Sequence, residues 1–447
     1  MSTIAAISTP PAVGGISMIR ISGEKSIAVA EHLFYATNQV KVSEMRGYTC
    51  AYGYICDGNE RIDDVILTVF RAPHSYTGED TVEITCHGGL YLTNEILHLV
   101  LKNGAVPAGA GEFTKRAFLN GKLSLSQAEA VMNVIEADGK AALHQANLVK
   151  EGRLSRQMNA IADELIGILS ALAYWLDDAE QFPEELDSSR LFTQIRDIYN
   201  KLSDMSKHYR DGKIYLQGIR TVLLGKPNAG KSSVMNWLCG VNRSIVTSIA
   251  GTTRDVITEQ VKVGAYTLLV SDTAGIRETE NEIETIGIEQ AMKALSTADL
   301  VLYVIDASVG ITKEDREVLK QCEDTKTVIL WNKTDLNSTE PDVDFPHLLP
   351  CSMIADPPFD GLLKHLQQLF PEIVPNQPSV VNERQNQLLE SAMKHVQSAM
   401  DLLESYGEPD LISVDLEIAA RHLSEIDGKD VSKETIDGVF SRFCVGK

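Results

Sequence analysis

Residues 225–233 read GKPNAGKSS and contain the spacing G-x-x-x-x-G-K-[ST], that of a loop built to hold phosphate. The apolar run Ile219–Leu224 reads as a buried parallel strand leading into it. Gly225 and Gly230 let the main chain wrap close to an anion. Successive N–H groups through Asn228, Ala229 and Gly230, with a helix starting near Lys231, make a positive concavity. In that frame Lys231 reaches the β- and γ-phosphates, the Ser232 hydroxyl sits on Mg²⁺, and Ser233 opens the helix behind them.

Three further segments follow in the order a guanine-nucleotide domain needs: GTTRD at 251–255, DTAG at 272–275 and NKTD at 332–335. Thr253 is a candidate second Mg²⁺ ligand that also senses the γ-phosphate. Leu268, Leu269 and Val270 form a strand that carries Asp272 toward the metal, with Thr273 and Ala274 between it and Gly275, where the backbone nears the γ-phosphate. Such loops order on a nucleoside triphosphate and relax after hydrolysis. NKTD follows a strand over Thr327–Trp331. Asp335 can accept from both the ring N–H and the exocyclic amine of guanine; adenine lacks that amine and would leave a buried acceptor unpaired. Asn332 and Lys333 brace the loops around the base, and Ser352, in the weak match CSMI, stands where a backbone N–H touches the base oxygen.

The hydrolytic step needs something else. Many regulatory GTPases place a Gln directly after the DTAG-type motif to orient water; here that position is Ile276, and no arginine finger is evident. Two devices remain open. The Asn228 carbonyl could hold a monovalent cation beside the transferring phosphate, and a carboxylate of the acidic run Glu278–Glu289 could position water, although such runs also serve simply as solvated helix starts.

The 447 residues allow about three domains. A net charge of −21 argues against broad nonspecific binding to nucleic acid or membrane surfaces. The seven cysteines are scattered singly, with no CxxC pair, so reduced thiols are expected rather than a zinc site or disulfide framework. The opening MSTIAAISTPP has no basic start or apolar h-region, and no stretch is long enough to span a membrane. A cytoplasmic protein without membrane contact is the expectation.

The elements that must carry these groups differ along the chain. Residues 1–118 mix short strands (Ile16–Ile21, Val65–Phe70, Thr81–Thr85) with a helix over Leu90–Lys102, an α+β pattern. Residues 119–215 turn Ala- and Leu-rich with helical spacing. Residues 216–373 hold the nucleotide motifs in an α/β pattern, closed by Pro371, Pro375 and Pro378. Residues 374–447 return to helices at about 380–405, 411–425 and 432–443, with Ser432 as an N-cap. Each helical segment shows an apolar stripe that needs a partner, so one helical domain built from both, with the nucleotide domain inserted, is the economical arrangement. In the first domain, Arg20 ends a strand face shared with Ile16 and Met18 and either snorkels to water or binds an anion. Glu79 and Asp80 read as solvated turn carboxylates, GEFTKRAFLNGKLSL as a basic surface loop, and Gly446–Lys447 as a flexible tip beyond the docked Phe440, Phe443 and Cys444.

The segments GGISMIRISG, SYTGED, HGG, GEFTKRAFLNGKLSL-SQAEAV, KPNAGKSS, IVTSIAGTTRDV, DTAGIRET, IETIGIEQA and FCVGK together span nearly the whole chain. They resemble one family, the bacterial tRNA-modifying GTPases of the MnmE (TrmE) type. The resemblance implies an N-terminal domain for folate binding and dimerisation, a discontinuous helical domain and an inserted P-loop GTPase domain. It implies a homodimer that joins an FAD-dependent partner, MnmG, in a heterotetramer or larger complex. That complex would act on tRNA, adding an aminomethyl or carboxymethylaminomethyl group to carbon 5 of the wobble uridine. The one-carbon unit would come from a 5-formyl or 5,10-methylene tetrahydrofolate. Carried onto this sequence, the folate contacts fall on Arg20, Glu79, Lys122 and Lys447, reversing the bland readings of those segments. K⁺ ligands fall on Asn228, Thr247, Ile249 and Thr252, within a nucleotide-contacting stretch that includes Ser248, Ala250 and Gly251. Mg²⁺ ligands fall on Ser232 and Thr253. Glu284 becomes the water-orienting carboxylate, acting with Lys231 and Asn228, and Cys444 a possible functional thiol. The chain departs from the family pattern at CHGG, CVGK and the SMI base loop.

Overall fold

The computed structural model describes all residues except 138, 178–187, 242–257, 272–294, 337–344, 371–379, 381 and 406–408. It divides into two compact units, one formed by 1–136, 146–204 and 383–447, the other by 137–145 and 205–382.

The first unit opens with a seven-stranded sheet. Its strands are β1 (Ile4–Ile7), β2 (Ser17–Ser22), β3 (Phe34–Ala36), β4 (Thr49–Asp57), β5 (Glu60–Phe70), β6 (Thr81–Cys86) and β7 (Val106–Pro107), in the order β3-β4-β5-β6-β2-β1-β7. All neighbours are antiparallel except β1 and β7. Alternation decides which face is covered. Ile19 and Ile21, Val65, Leu67 and Val69, and Val82 and Ile84 all enter one core, closed by Ile96, Leu99 and Val100 of the helix Leu90–Lys102. The opposite positions, Arg20 on β2 and Glu83 on β6, are directly paired in register and share the other face. β2 is an interior strand, so Arg20 is not at a sheet edge.

Helices from distant parts of the sequence complete this unit: Leu125–Glu136, Arg153–Asp177, Glu383–Glu404, Pro409–Ile426 and Lys433–Phe440, the last capped by the Ser432 hydroxyl on the Thr435 N–H (3.2 Å). Polar groups bridge the two helical segments across the intervening nucleotide-binding sequence. Asp427, 7% exposed, accepts from the hydroxyls of Ser126 (2.6 Å) and Ser155 (2.7 Å) and from Asn159 (3.2 Å). Glu129 takes both Arg384 (2.8 and 2.9 Å) and Gln385. Segments that cannot bury their apolar stripes alone are thus also bound by directed bonds that a wrong register would leave unmade.

The basic stretch 111–125 departs from the expected surface loop. Glu112–Leu119 is a helix, and within it Arg116 is only 4% exposed. Phe113 and Ala117 on the same helix are fully buried, so the amphipathic spacing inside TKRAFL outweighs its local charge.

The second unit holds a six-stranded sheet of β8 (Ile219–Gly225), β9 (Thr258–Val263), β10 (Tyr266–Ser271), β11 (Leu300–Asp306), β12 (Lys326–Asn332) and β13 (Leu348–Pro350), in the order β13-β12-β11-β8-β10-β9. Only the β9–β10 pair is antiparallel. Both faces are covered, by Leu223, Leu302 and Leu330 on one side and Val222, Tyr303 and Ile329 on the other. That is why these strands read as continuous apolar runs. The carboxyl ends of β8, β11 and β12 lie side by side, the edge at which open α/β sheets present ligand sites.

Replacing Asp427 with Ala would leave two buried hydroxyls without their acceptor. Denaturant unfolding should show a loss of roughly 1–3 kcal/mol; an unchanged midpoint would mean that this joint does not hold the two helical segments.

Candidate functional site

Of the nucleotide motifs, the phosphate loop and the NKTD segment meet at that edge. Gly225 (φ +141) and Gly230 (φ +108) adopt backbone geometry that side chains disfavour, and a Cβ on either would stand 2.3 Å from the Val304 carbonyl oxygen or 2.2 Å from Asn332 Nδ2. Asn228, at φ +63, completes the reversal of the chain. The helix Lys231–Val241 then begins, its first N–H groups facing the loop, with Ser232 and Ser233 exposed at its mouth. The Lys231 ammonium donates to the Gly225 and Lys226 carbonyl oxygens, each at 2.7 Å, spanning the loop. Ala229 is buried beneath it.

Asn332, 3% exposed at the end of β12, donates from Nδ2 to the Ala229 carbonyl (2.9 Å) and accepts at Oδ1 from the Met353 N–H (3.3 Å). One side chain therefore ties the phosphate loop to the segment that follows β13. Lys333, at φ +67, pairs with Asp306 at the end of β11 (2.6 Å). Burial would raise the Asp306 pKa, but the bonds from Lys333 and Ser308 outweigh it and hold the carboxyl below its usual range. Asp335 is exposed. Ser352 is buried, and its N–H is directed to the Asp356 carbonyl (3.3 Å) while its hydroxyl accepts from Ala355 (3.1 Å). The base contact assigned to that N–H is thus engaged within its own loop. Thr247, Ser248, Ile249, Ala250, Gly251, Thr252, Thr253, Asp272, Thr273, Ala274, Gly275 and Glu284 lie outside the described residues. Of the metal-binding groups inferred from sequence, Asn228 and Ser232 are both exposed at the phosphate loop.

A second constellation forms in the first unit. Arg20 pairs with Glu83 (2.8 Å), and its guanidinium lies 5.7 Å from the Tyr76 ring and 5.6 Å from the Phe113 ring. Glu79 is not the solvated turn carboxylate expected. It accepts from Arg116 (3.1 and 3.2 Å) and from the Ser22 hydroxyl (2.8 Å), while Arg116 also binds Glu112 and the Ser2 carbonyl. Lys122 reaches back to the Pro73 carbonyl (3.0 Å), and its aliphatic stem packs near Gly78, so it closes the same turn.

The final residues are docked rather than free. Val445 bridges to Ala110, Gly111 donates to Cys444, Phe113 donates to Lys447 (3.1 Å), and Ser8 donates to the Gly446 carbonyl (3.1 Å). Gly446 sits at φ +95, where a Cβ would meet the Ile7 carbonyl oxygen at 2.3 Å. This turn brings Lys447 into the electrostatic range of Arg20; burial first, and then that positive charge, lowers the Lys447 pKa. Two cations held near each other favour an anionic or electron-rich ligand between them. Cys444 is exposed beside them in sequence. His87, of the HGG segment, is fixed separately by Asp63, through its ring (2.7 Å) and its main-chain N–H (2.9 Å), and that hydrogen bond raises its pKa.

Sequence reasoning missed Tyr76, Glu83, Arg116 and Asp306. Arg116 and Tyr76 lie in segments noted for their charge or turn chemistry, yet only packing shows them to be internal partners of the neighbouring functional groups.

A mostly parallel sheet with a phosphate loop, a guanine-type NKTD segment and a separate α+β domain joined to helices defines a multidomain P-loop GTPase class. The family model described as GTP-binding protein TrmE N-terminus matches residues 3–122, and the MnmE helical domain model matches residues 125–444. The chain is 39% identical over 464 residues to the tRNA modification GTPase MnmE of Moorella thermoacetica, covering 100% of this chain and 99% of the relative. It is 38% identical over 454 residues to that of Clostridioides difficile, again covering 100% and 99%. This chain therefore belongs to the MnmE family of tRNA modification GTPases. Among solved structures, a point variant of Aquifex aeolicus Era bound to GDP.AlF4- is similar to 40% of this chain and 66% of its own, at 25% identity and TM-score 0.27. The G domain of the T. maritima FeoB iron transporter is similar to 34% of this chain and 98% of its own, at 20% identity and TM-score 0.25.

Gly230→Ala should abolish measurable guanine-nucleotide binding, because its Cβ must displace Asn332 from the phosphate loop. Equilibrium titration with a fluorescent GDP analogue checks this; retention of affinity within threefold would show that the Asn332 bracket is dispensable.

Proposed function

We propose that this chain hydrolyses GTP and uses the accompanying conformational cycle in modifying carbon 5 of the wobble uridine of tRNA. The Asn332 bracket carries the nucleotide half of this reading, since it couples phosphate recognition to base recognition through one buried amide. The chain binds guanine through Asp335 and phosphates through Lys231 and the loop N–H groups. Ser232 with Thr253 would hold Mg²⁺, and Asn228 with Thr247, Ile249 and Thr252 would hold K⁺; these cations supply charge neutralisation at the phosphates. Glu284 orients the attacking water, the role that Ile276 cannot perform.

The tetrahydrofolate half of the proposal is supported by the docked tail, which brings Lys447 toward Arg20, and by the fixed Glu79 and Lys122 turn. A reduced folate carrying a one-carbon unit is an anion of the kind that Arg20 and Lys447 would attract. Cys444 remains a second candidate for chemistry at the same tail. Homodimerisation is supported by the outer face of β3, β4 and β5, where Tyr35, Tyr52 and Ile66 are exposed and Tyr35 stacks on Tyr54 at 5.7 Å. An aromatic sheet face of this kind suits a second copy of the chain. The flavin chemistry falls to a partner that binds FAD, and no helix among the described residues is long and apolar enough to cross a membrane.

GTP turnover by the full chain should rise at least tenfold when K⁺ replaces Na⁺ at matched ionic strength, and Glu284→Ala should lower the K⁺ rate by about 10²-fold or more. Equal rates in both salts would remove the cation from the reading.

Calorimetric titration with 5-formyltetrahydrofolate should show binding that weakens at least tenfold on Arg20→Ala and on Gly446→Ala, with guanine-nucleotide affinity unchanged. Undiminished binding in both variants would place the folate elsewhere.

A further inference from the structure

Two histidines of the nucleotide-binding unit meet outside the groups described above. His347 precedes β13 and accepts at its carbonyl from the Ile329 N–H of β12 (2.9 Å). His365 lies in the helix Phe359–Leu369. Their encounter follows from the packing of that helix on the edge strand. A Cβ on Gly361 would stand 2.5 Å from Leu349 Cδ1, so helix and strand are at close approach there. His365 is four residues beyond Gly361, and His347 is two residues before Leu349. The helical and strand periodicities therefore return both side chains to the facing surfaces.

The two Nδ1 atoms are 3.3 Å apart, with the rings at 89° and their centroids 5.5 Å apart. At that separation one ring can donate to the other as N–H···N. The same spacing has a second use. Metal–imidazole bonds of about 2.0–2.1 Å at a tetrahedral angle put the two donor atoms about 3.3 Å apart. We propose that His347 and His365 form a binding site for a divalent cation of the imidazole-preferring class, with water completing the coordination.

Among the described residues, no third His, Cys, Asp or Glu joins them to make a larger metal cluster. Lys364 adds positive charge beside His365. The site is accordingly open and exchangeable, weaker than a structural site with four protein ligands. Its position gives it a consequence. The two ligands flank residues 348–364, which include the Ser352 loop and the Met353 N–H held by Asn332. A cation bridging them staples the ends of the base-side segment and slows release of guanine nucleotide.

The test is a calorimetric titration of Ni²⁺ into the tag-free full chain. GDP and excess Mg²⁺ are present to fill the nucleotide site, and the background is Cys50→Ser/Cys444→Ser, which removes the exposed thiols. One saturable event per chain is expected, weakened at least tenfold by His347→Gln or His365→Gln. Lys364→Glu, which leaves both imidazoles in place, should tighten it and guards against misfolded histidine variants. An isotherm unchanged in both histidine variants, or no saturable event below millimolar Ni²⁺, overturns the site. Release of a fluorescent GDP analogue should slow on Ni²⁺ addition only when both histidines are present; an unchanged release rate overturns the staple.

Discussion

A single buried amide organises the nucleotide-binding unit. Asn332 is reached by the phosphate loop on one side and by the base-side segment on the other. Both contacts depend on residue 230 having no side chain, since any Cβ there would occupy the position of Asn332 Nδ2. They depend equally on β8, β11 and β12 being parallel neighbours, so that their carboxyl ends deliver Gly225, Asp306 and Asn332 to one edge. Burying a polar side chain is favourable only when its donors and acceptors are met. A nucleotide that enters this edge meets a frame already fixed by those bonds.

The first unit solves a different problem by comparable means. There, charged groups from distant parts of the sequence are fixed in place by packing and by ion pairs. Glu79 is neutralised from behind by Arg116, and Arg20 is held by Glu83. Lys447 is brought in by a tight Gly446 turn against Ile7 and Ser8. Burial lowers the Lys447 pKa first, and the nearby Arg20 charge lowers it further.

The helical part shows why the nucleotide-binding unit can be inserted into another domain. The amphipathic segments 125–177 and 383–440 each lack a complete core, and Asp427 and Glu129 bind them across the insertion. The joint is specific because its partners are buried and few.

Much of this is legible in the residues. Ile219–Leu224, Thr327–Trp331 and Leu90–Lys102 are elements within a residue or two of where periodicity puts them, because apolar runs and helical stripes are local signals. The phosphate loop can be read directly, since Gly, Lys and Ser at fixed spacing leave few other arrangements. The helix Glu112–Leu119 reads locally as a surface loop, because the charge of TKR masks an amphipathic pattern that only a neighbouring core reveals. The fixed state of Glu79, the docked tail at Gly446 and the meeting of His347 with His365 are equally beyond local reading. Each depends on segments far apart in sequence packing within hydrogen-bond distance. The sequence by itself determined which chemical groups exist and which strands and helices carry them, through short-range sterics and periodicity. Tertiary packing alone decided which charges are neutralised, which are left facing each other and which loops are closed, because those energies depend on burial and on neighbours that sequence spacing does not specify.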